Sequence, residues 1–349
     1  MSTGNTGTIL LFGANGLLGS HVNGILVRSA GVHRVMAPGR DICDLLTPNA
    51  AYKLITLLRP SIVINCAGMA NVDECEEKPD QADRLNAAVV HEMALACAKV
   101  RARLIHISTD YVFAGGEEMP PPHHYTAESS IKLGRDNAGV YARTKSHGEA
   151  YAGLCDNHCI VRTSWLFGNR LDGRKTFPEW FVDQVVGGLK IIKSEVAVPK
   201  QIPMITDRRG SPTYAPDAAQ AVVLLSHAPW IGVAHVCNGT PSDVATLQDR
   251  ERYGFTSSQE DFGSYAIRTF GEVHGGPKNP LFAEVAKNFD RLFKRMVQQE
   301  LVDAGIWKVL RPTDTRLIPS DLGGFLMRPF DDALRAFWQL KRLQPKAAP

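Results

Sequence analysis

Short apolar runs alternate along the chain with longer segments in which apolar residues recur at every third or fourth position. The runs are Thr8–Ala14, His33–Ala37, Ser61–Ala67, Arg103–Ser108, Cys159–Phe167 and Gly232–Cys237, and all have strand length. Between them, Leu17–Ser29, Asn49–Leu58, Asp80–Val100 and Val140–Leu154 carry the spacing that gives a helix one apolar face. This alternation predicts an α/β fold, a Rossmann-type doubly wound parallel sheet with helices on both faces. It falters between Gly168 and Gly210, where Phe177–Val186 is a helix candidate. Ala215–Ser226 then returns to the sheet as a helix. Gly239–Gln344 reads as mostly helical and irregular, with one long amphipathic helix expected over Leu281–Ala304. Residues 1–168 and 210–240 are assigned to a dinucleotide-binding domain. Residues 169–209 and 241–349 are assigned to a smaller, discontinuous, mainly helical substrate domain. Pro120-Pro121-Pro122-His123-His124 reads as a solvent loop.

Composition narrows the function classes. With 349 residues and 44% hydrophobic content the chain can bury a large core. Its 39 Lys and Arg against 36 Asp and Glu leave a net charge of +3, too small and dispersed for a nucleic-acid footprint. The early run Ile9–Phe12 is too short to span a bilayer, and no basic segment precedes it, so a cytoplasmic location is expected, with no membrane partner. Seven cysteines form an odd set in apolar surroundings and read as reduced core thiols. Cys155, His158 and Cys159 lack paired metal-ligand spacing, and no metal site is expected. Nothing in the sequence fixes the oligomeric state, and a homo-oligomer stays open.

The candidate chemistry begins at the first strand. It feeds into Gly13-Ala14-Asn15-Gly16-Leu17-Leu18-Gly19, where glycines permit a sharp turn and a close approach to a pyrophosphate. The following helix N-terminus offers its N–H groups to the phosphates, so Gly13, Asn15, Gly16, Leu17, Leu18 and Gly19 are cofactor candidates. After the second strand no acidic residue is clearly placed for a ribose 2′-hydroxyl. Arg40 can meet a 2′-phosphate instead, which favours NADP(H), while Asp41 can serve adenine or ribose and keeps NAD(H) open. Cys66, Ala67 and Gly68, at the end of the third strand, are small enough for a cofactor to lie against their backbone. Packing alone would also select such residues.

Downstream, Tyr141 and Lys145 lie four apart and share one helix face. A free phenol titrates near 10, and a neighbouring ammonium is expected to bring it toward neutrality. Thr109, at the end of the fourth strand, can bind a substrate carbonyl oxygen, with Ser108 as the alternative if the register shifts by one.

With these residues in view, the chain resembles the dTDP-4-dehydrorhamnose reductase family of extended short-chain dehydrogenases. The matching strings are GANGLLG, INCAGMANVDECE (Ile64–Glu76), LNA (Leu85–Ala87), HISTDYVF (His106–Phe113), YARTKSHGE (Tyr141–Glu149), VRTSWLFG (Val161–Gly168), GSPTYAPDAA (Gly210–Ala219) and RPTDTRL (Arg311–Leu317). The resemblance implies that Thr109, Tyr141 and Lys145 are catalytic. It implies further that Asp110, Tyr111 and Trp165 line a hexose and that Arg316 meets a diphosphate. For Trp165 an ordinary core role, and for Arg316 a surface ion pair, compete. The implied reaction is NAD(P)H-dependent reduction of the C4 ketone of a nucleotide-linked deoxyhexulose, with Tyr141 as proton donor.

This chain departs from the family at Arg208, where a glutamine is common, and Arg208 is counted among the substrate-binding candidates. Residues 241–310 also depart, which leaves the base and sugar open. Two alternatives stand beside the reductase. One is a nucleotide-sugar epimerase or dehydratase; the other is a non-catalytic regulatory subunit like the methionine adenosyltransferase beta subunit.

Overall fold

The computed structural model describes residues 7–29, 34–113, 125–131, 139–239, 257–275, 280–325 and 327–343. The triple-proline loop at 120–124 lies outside them. Six strands form the central sheet: β1 (Thr8–Phe12), β2 (Arg34–Met36), β3 (Ile62–Asn65), β4 (Arg103–Thr109), β5 (His158–Thr163) and, late in the chain, β10 (Gly232–His235). Their spatial order is β10, β5, β4, β3, β1, β2, and every neighbouring pair is parallel. The helices are α1 (Leu17–Arg28), α2 (Ala50–Leu58), α3 (Val72–Glu77), α4 (Pro79–Asp83), α5 (Val89–Val100), α6 (Val140–Ala152), α7 (Phe177–Ser194) and α8 (Ala215–His227).

Alternate residues of β1 supply opposite faces, as an extended chain requires. Ile9 and Leu11 pack with Leu18, Val22, Ala218 and Val222 of α1 and α8. Leu10 and Phe12 pack with Ala51, Ile55, Val89 and Met93 of α2 and α5. A sheet buried on both faces accounts for the nearly continuous apolar strands. From β1 the chain passes to β2 on one side and then crosses back to β3 on the other. The carboxyl ends of β1, β3 and β4 therefore frame the crevice where this architecture accepts ligands.

A further core lies beyond the sheet. Phe181, Val185 and Leu189 of α7 meet Phe262, Ala266 and Ile267 of the helix Gln259–Gly275, and Phe330, Leu334 and Phe337 of the helix Phe330–Leu343. Small two-stranded sheets accompany it. In these, β6 (Leu166–Phe167) pairs with β9 (Thr213–Tyr214), β7 (Ile202–Ile205) with β12 (Phe293–Met296), and β8 (Arg209–Gly210) with β11 (Ser257–Ser258). This part is thus less purely helical than the pattern suggested.

Several predicted elements are broken. The long helix expected over Leu281–Ala304 is instead helix Leu281–Lys287, a turn Phe289–Leu292, strand β12 and helix Gln298–Asp303. Leu292 and Phe293 are buried in the outer core, so the apolar stripe faces inward, but strand pairing with Ile202–Ile205 overrides helical spacing. The predicted helix Asp80–Val100 contains a π-helical turn at Arg84–Ala88. The run Cys159–Phe167 divides at Ser164-Trp165, where Trp165 takes φ +39°. Leu322, inside the segment assigned to the substrate domain, packs in the α1 and α8 core beneath the sheet, with Phe325 and Met327 against it.

All seven cysteines are free, six buried and Cys66 half-buried. Among the described residues no cluster suits a metal, and no helix is long and apolar enough to cross a membrane. His158 faces the Cys155 carbonyl oxygen at 2.7 Å.

Candidate active site

The β1–α1 turn is shaped by two glycines. Gly13 adopts φ +77°, and a Cβ there would lie 2.5 Å from the Ala67 nitrogen. A Cβ on Gly19 would lie 2.1 Å from the Gly13 carbonyl oxygen, so helix and turn touch backbone to backbone. Gly16 caps α1 without a side-chain hydrogen bond, which leaves the first-turn N–H groups clear for an anion. Leu18 is buried in the sheet core, so only its backbone serves this turn; Asn15 is exposed. Cys66, Ala67 and Gly68 lie beside the turn, and burial pushes the Cys66 thiol up to about 12. Arg40 and Asp41 are exposed in the loop after β2. A dinucleotide fits this cradle: its walls are backbone and small side chains, and its floor is a helix N-terminus.

Thr109 ends β4 and pairs in register with Thr163 of β5. Its hydroxyl donates to Asp110 Oδ1 at 3.0 Å and accepts from Tyr111 N–H at 3.3 Å, and it lies close enough to the Tyr141 phenol to act on its titration. Ser108 points the other way and donates to Glu149 Oε1 at 2.5 Å. Thr109, not Ser108, therefore faces the site.

Tyr141 and Lys145 occupy one face of α6, and the start of that helix is fixed from outside. The Val140 N–H donates to Glu76 Oε1 of α3 at 2.6 Å, placing a carboxylate at the helix N-terminus. Burial lifts the Tyr141 phenol well above its usual value, with the Thr109 hydroxyl pulling the other way and the Asp110 charge adding to the rise. The expected lowering by Lys145 is absent, because burial brings the amine to about 8 and it has lost its charge before the phenol would ionise. Lys145 Nζ donates to the Ile107 carbonyl at 2.6 Å and lies 3.5 Å from His106 Nε2. Burial pushes Lys145 down to about 8, although Glu149 opposes the shift.

His106 is completely buried between Lys145 and Asn65. Asn65 accepts the Ala67 N–H through Oδ1 at 3.0 Å, so its Nδ2 faces His106 Nδ1, 3.2 Å away. That arrangement leaves the proton of the neutral ring on Nε2.

Two further groups hold this geometry. Asn86, in the π-helical turn, accepts from Met69 N–H at 2.8 Å and donates to the Met69 carbonyl and to Thr144 Oγ1 of α6. Glu149 and Arg162 form a buried ion pair of 2.7 Å that also engages Ser108. Their strings, LNA and YARTKSHGE, carried the signal, but spacing alone gave these residues no role.

Asp110 is buried and accepts from Thr109, from Ser164 Oγ at 2.7 Å and from Thr315 Oγ1. It organises three hydroxyls and is not among the residues lining the cavity beyond Arg208. Tyr111 packs edge-on against Tyr141 with ring centroids 5.4 Å apart, and its Oη accepts from Arg208 Nη2 at 2.7 Å. Beyond Arg208 opens a cavity of about 230 Å³ lined by Trp165, Leu166, Phe177, Arg208, Gln259, Phe262 and Trp307. Trp165 lines this cavity and also stacks on Phe262 with ring centroids 6.3 Å apart. Arg316 is buried, with Nε donating to Asp314 Oδ1 at 2.7 Å and Nη2 to Oδ2. Its partner is internal, and it is not among the residues lining the cavity. Of the other lining residues, Phe177 was read only as the start of a helix, and Gln259, Phe262 and Trp307 lie in the segment 241–310 that departs from the family pattern.

Residues 7–242 match the family model described as the RmlD substrate binding domain. A dTDP-4-dehydrorhamnose reductase of Mycobacterium tuberculosis is 33% identical over 239 residues, covering 67% of this chain and 71% of that protein. A dTDP-4-keto-6-deoxy-D-glucose reductase of Streptomyces niveus is 29% identical over 280 residues, covering 78% and 86% respectively. The crystal structure of a dTDP-4-dehydrorhamnose reductase from Bacillus anthracis, in complex with NADP, superposes with a TM-score of 0.70 at 22% identity. That match covers 95% of this chain and 99% of the other.

Proposed function

The chain belongs to the RmlD substrate-binding-domain family, and from that premise we propose that it is an NADPH-dependent 4-ketoreductase of a nucleotide-linked deoxyhexulose. The observation that carries this reading is the juxtaposition of Thr109 at the carboxyl end of β4 with Tyr141 and Lys145 on one face of α6, whose amine donates to the Ile107 carbonyl of the same strand. Relatives named as dTDP-sugar reductases support it, as does the NADP complex of a structural neighbour. They give correspondingly less support to an epimerase, a dehydratase or a regulatory subunit.

The β1–α1 turn, with Cys66–Gly68 beside it, would hold the dinucleotide, and Arg40 is the group available for a 2′-phosphate. Bound there, the reduced nicotinamide supplies the hydride. The protein's work is orientation and proton delivery. Thr109 would hold the ketone oxygen by turning its proton away from Asp110 Oδ1, to which it donates here, while the Tyr111 N–H keeps its oxygen in place. As negative charge develops on that oxygen, Tyr141 donates its proton. A phenol kept protonated by burial is in the correct form for this step. Lys145 lies one helical turn below and braces the strand end through the Ile107 carbonyl. Tyr111 and Trp165 bound the sugar. We assign 1–168 with 210–240 to cofactor binding and 169–209 with 241–349 to substrate binding, with the stretch around Leu322 contributing to the first core.

Tyr141→Phe tests the proton donor. Turnover with dTDP-4-keto-6-deoxyhexuloses should fall by about 10²–10⁴, the usual contribution of a positioned acid, while NADPH affinity stays unchanged. Undiminished turnover would remove Tyr141 from the mechanism.

A further inference from the structure

The position at which this chain departs from its family, Arg208, has an environment unlike that of the other arginines around the site. Its guanidinium carbon lies 5.2 Å from the ring centre of Trp165 and 5.5 Å from that of Trp307, so two indoles flank it. Nη2 is used on the Tyr111 oxygen, and Nε is shielded from solvent with no partner. The acidic groups nearby are committed elsewhere. Asp110 holds three hydroxyls, Asp73 pairs with Arg311 at 2.6 Å, and Asp207 accepts the Gln298 N–H at 3.1 Å. Among the described residues no carboxylate forms an ion pair with Arg208. Arg316, to which the resemblance gave the diphosphate, is instead held by Asp314 through two N–H groups.

Asp110 acts on Arg208 only through space, and a half-buried guanidinium with no direct ion pair and an unpartnered Nε is costly unless something arrives to compensate it. Its planar fork suits paired oxyanions, and stacking between two indoles fixes the plane of that fork. The order of groups along the site is Tyr141, Tyr111, Arg208 and then the aromatic cavity. A nucleotide sugar with its ketone at Tyr141 would present the hexose to Tyr111 and the linker next.

We propose that Arg208 is the residue that recognises the substrate's diphosphate, with Trp165 and Trp307 as its rigid walls. This rests on the nucleotide-sugar reading and names which group meets which part of the ligand. Trp307 comes from the segment that does not match the family, so this clamp is a property of this chain.

The test compares nucleoside diphosphates with their nucleosides by calorimetry on the full-length protein: dTDP with thymidine, UDP with uridine, GDP with guanosine. Within a pair the base cancels, and the ratio of affinities isolates the phosphates. For the best-bound base, Arg208→Gln should shrink that ratio by about tenfold or more, the effect of losing hydrogen bonds to a charged group, and Arg208→Lys should shrink it less. NADPH affinity, measured in parallel, should be unchanged and reports that the variants fold. A ratio unaltered in Arg208→Gln, with NADPH still bound, would overturn the assignment to Arg208 alone. If the unmodified protein binds none of the diphosphates more tightly than the nucleosides, the nucleotide-sugar reading falls with it.

Discussion

Lys145 is pulled in two directions. Glu149 favours its charge, whereas enclosure by β3, β4 and α6 opposes it, and enclosure wins, bringing the amine to about 8 from an ordinary 10.5. The consequence for stability has a definite sign. Between pH 8 and 10.5 the unfolded chain carries a proton here that the folded chain has released, so this residue's contribution becomes more favourable as pH rises through that window. Below pH 8 both states are protonated and the folded state bears the full cost of the buried charge, up to about 3 kcal/mol. Lys145→Met should therefore be more stable than the parent at pH 7 and should lose the rise above pH 8. Urea midpoints measured from pH 7 to 10 check this; parallel pH profiles for the two proteins would mean that the amine is not desolvated. Tyr141 moves the opposite way from the sequence expectation for a related reason. Four residues of separation place phenol and amine on one face, but the amine has lost its charge before the phenol would ionise, and burial then dominates the phenol.

Among the elements, the β1–α1 turn has the least freedom. Gly13→Ala would place a methyl group 2.5 Å from the Ala67 nitrogen, at φ +77°. The backbone conformation alone should cost about 1–3 kcal/mol. Because the neighbour is backbone rather than a flexible side chain, the β3 loop must move, and NADPH binding should weaken along with the melting temperature. A variant with parental stability and NADPH affinity would show that this turn is not a close-packed cradle. The turn was legible in the sequence because glycine spacing reports a local constraint. So were the six strands, since burial on both faces leaves continuous apolar runs, and so was the shared face of Tyr141 and Lys145. Elements whose structure depends on distant partners were not. Phe293–Met296 is a strand because Ile202–Ile205 lies beside it, and residues 281–304 alone show only helical apolar spacing. The hydroxyls that Ser164 and Thr315 bring to Asp110 come from far along the chain, and local spacing gives no sign of them. For Arg316 the sequence left a diphosphate contact and an ion pair open, and the structure shows a pair with Asp314, two residues away.

At the scale of the whole molecule, the parallel sheet brings the glycine turn, the small residues after β3 and Thr109 to one edge. The outer core built on α7 and the helices Gln259–Gly275 and Phe330–Leu343 raises the wall containing Trp165, Phe177 and Phe262 beside that edge. Hydride donor and ketone would meet directly at the junction, with Tyr141 beside the ketone oxygen. The decisive measurement is a mass spectrum of the nucleotide sugar after incubation with NADPH deuterated at the transferable position of the nicotinamide. Stoichiometric loss of the reduced cofactor with one deuterium on the sugar's C4 is the expected result, abolished in Tyr141→Phe. Converted sugar without deuterium and without net cofactor oxidation would contradict it, and would identify an enzyme that returns its hydride instead.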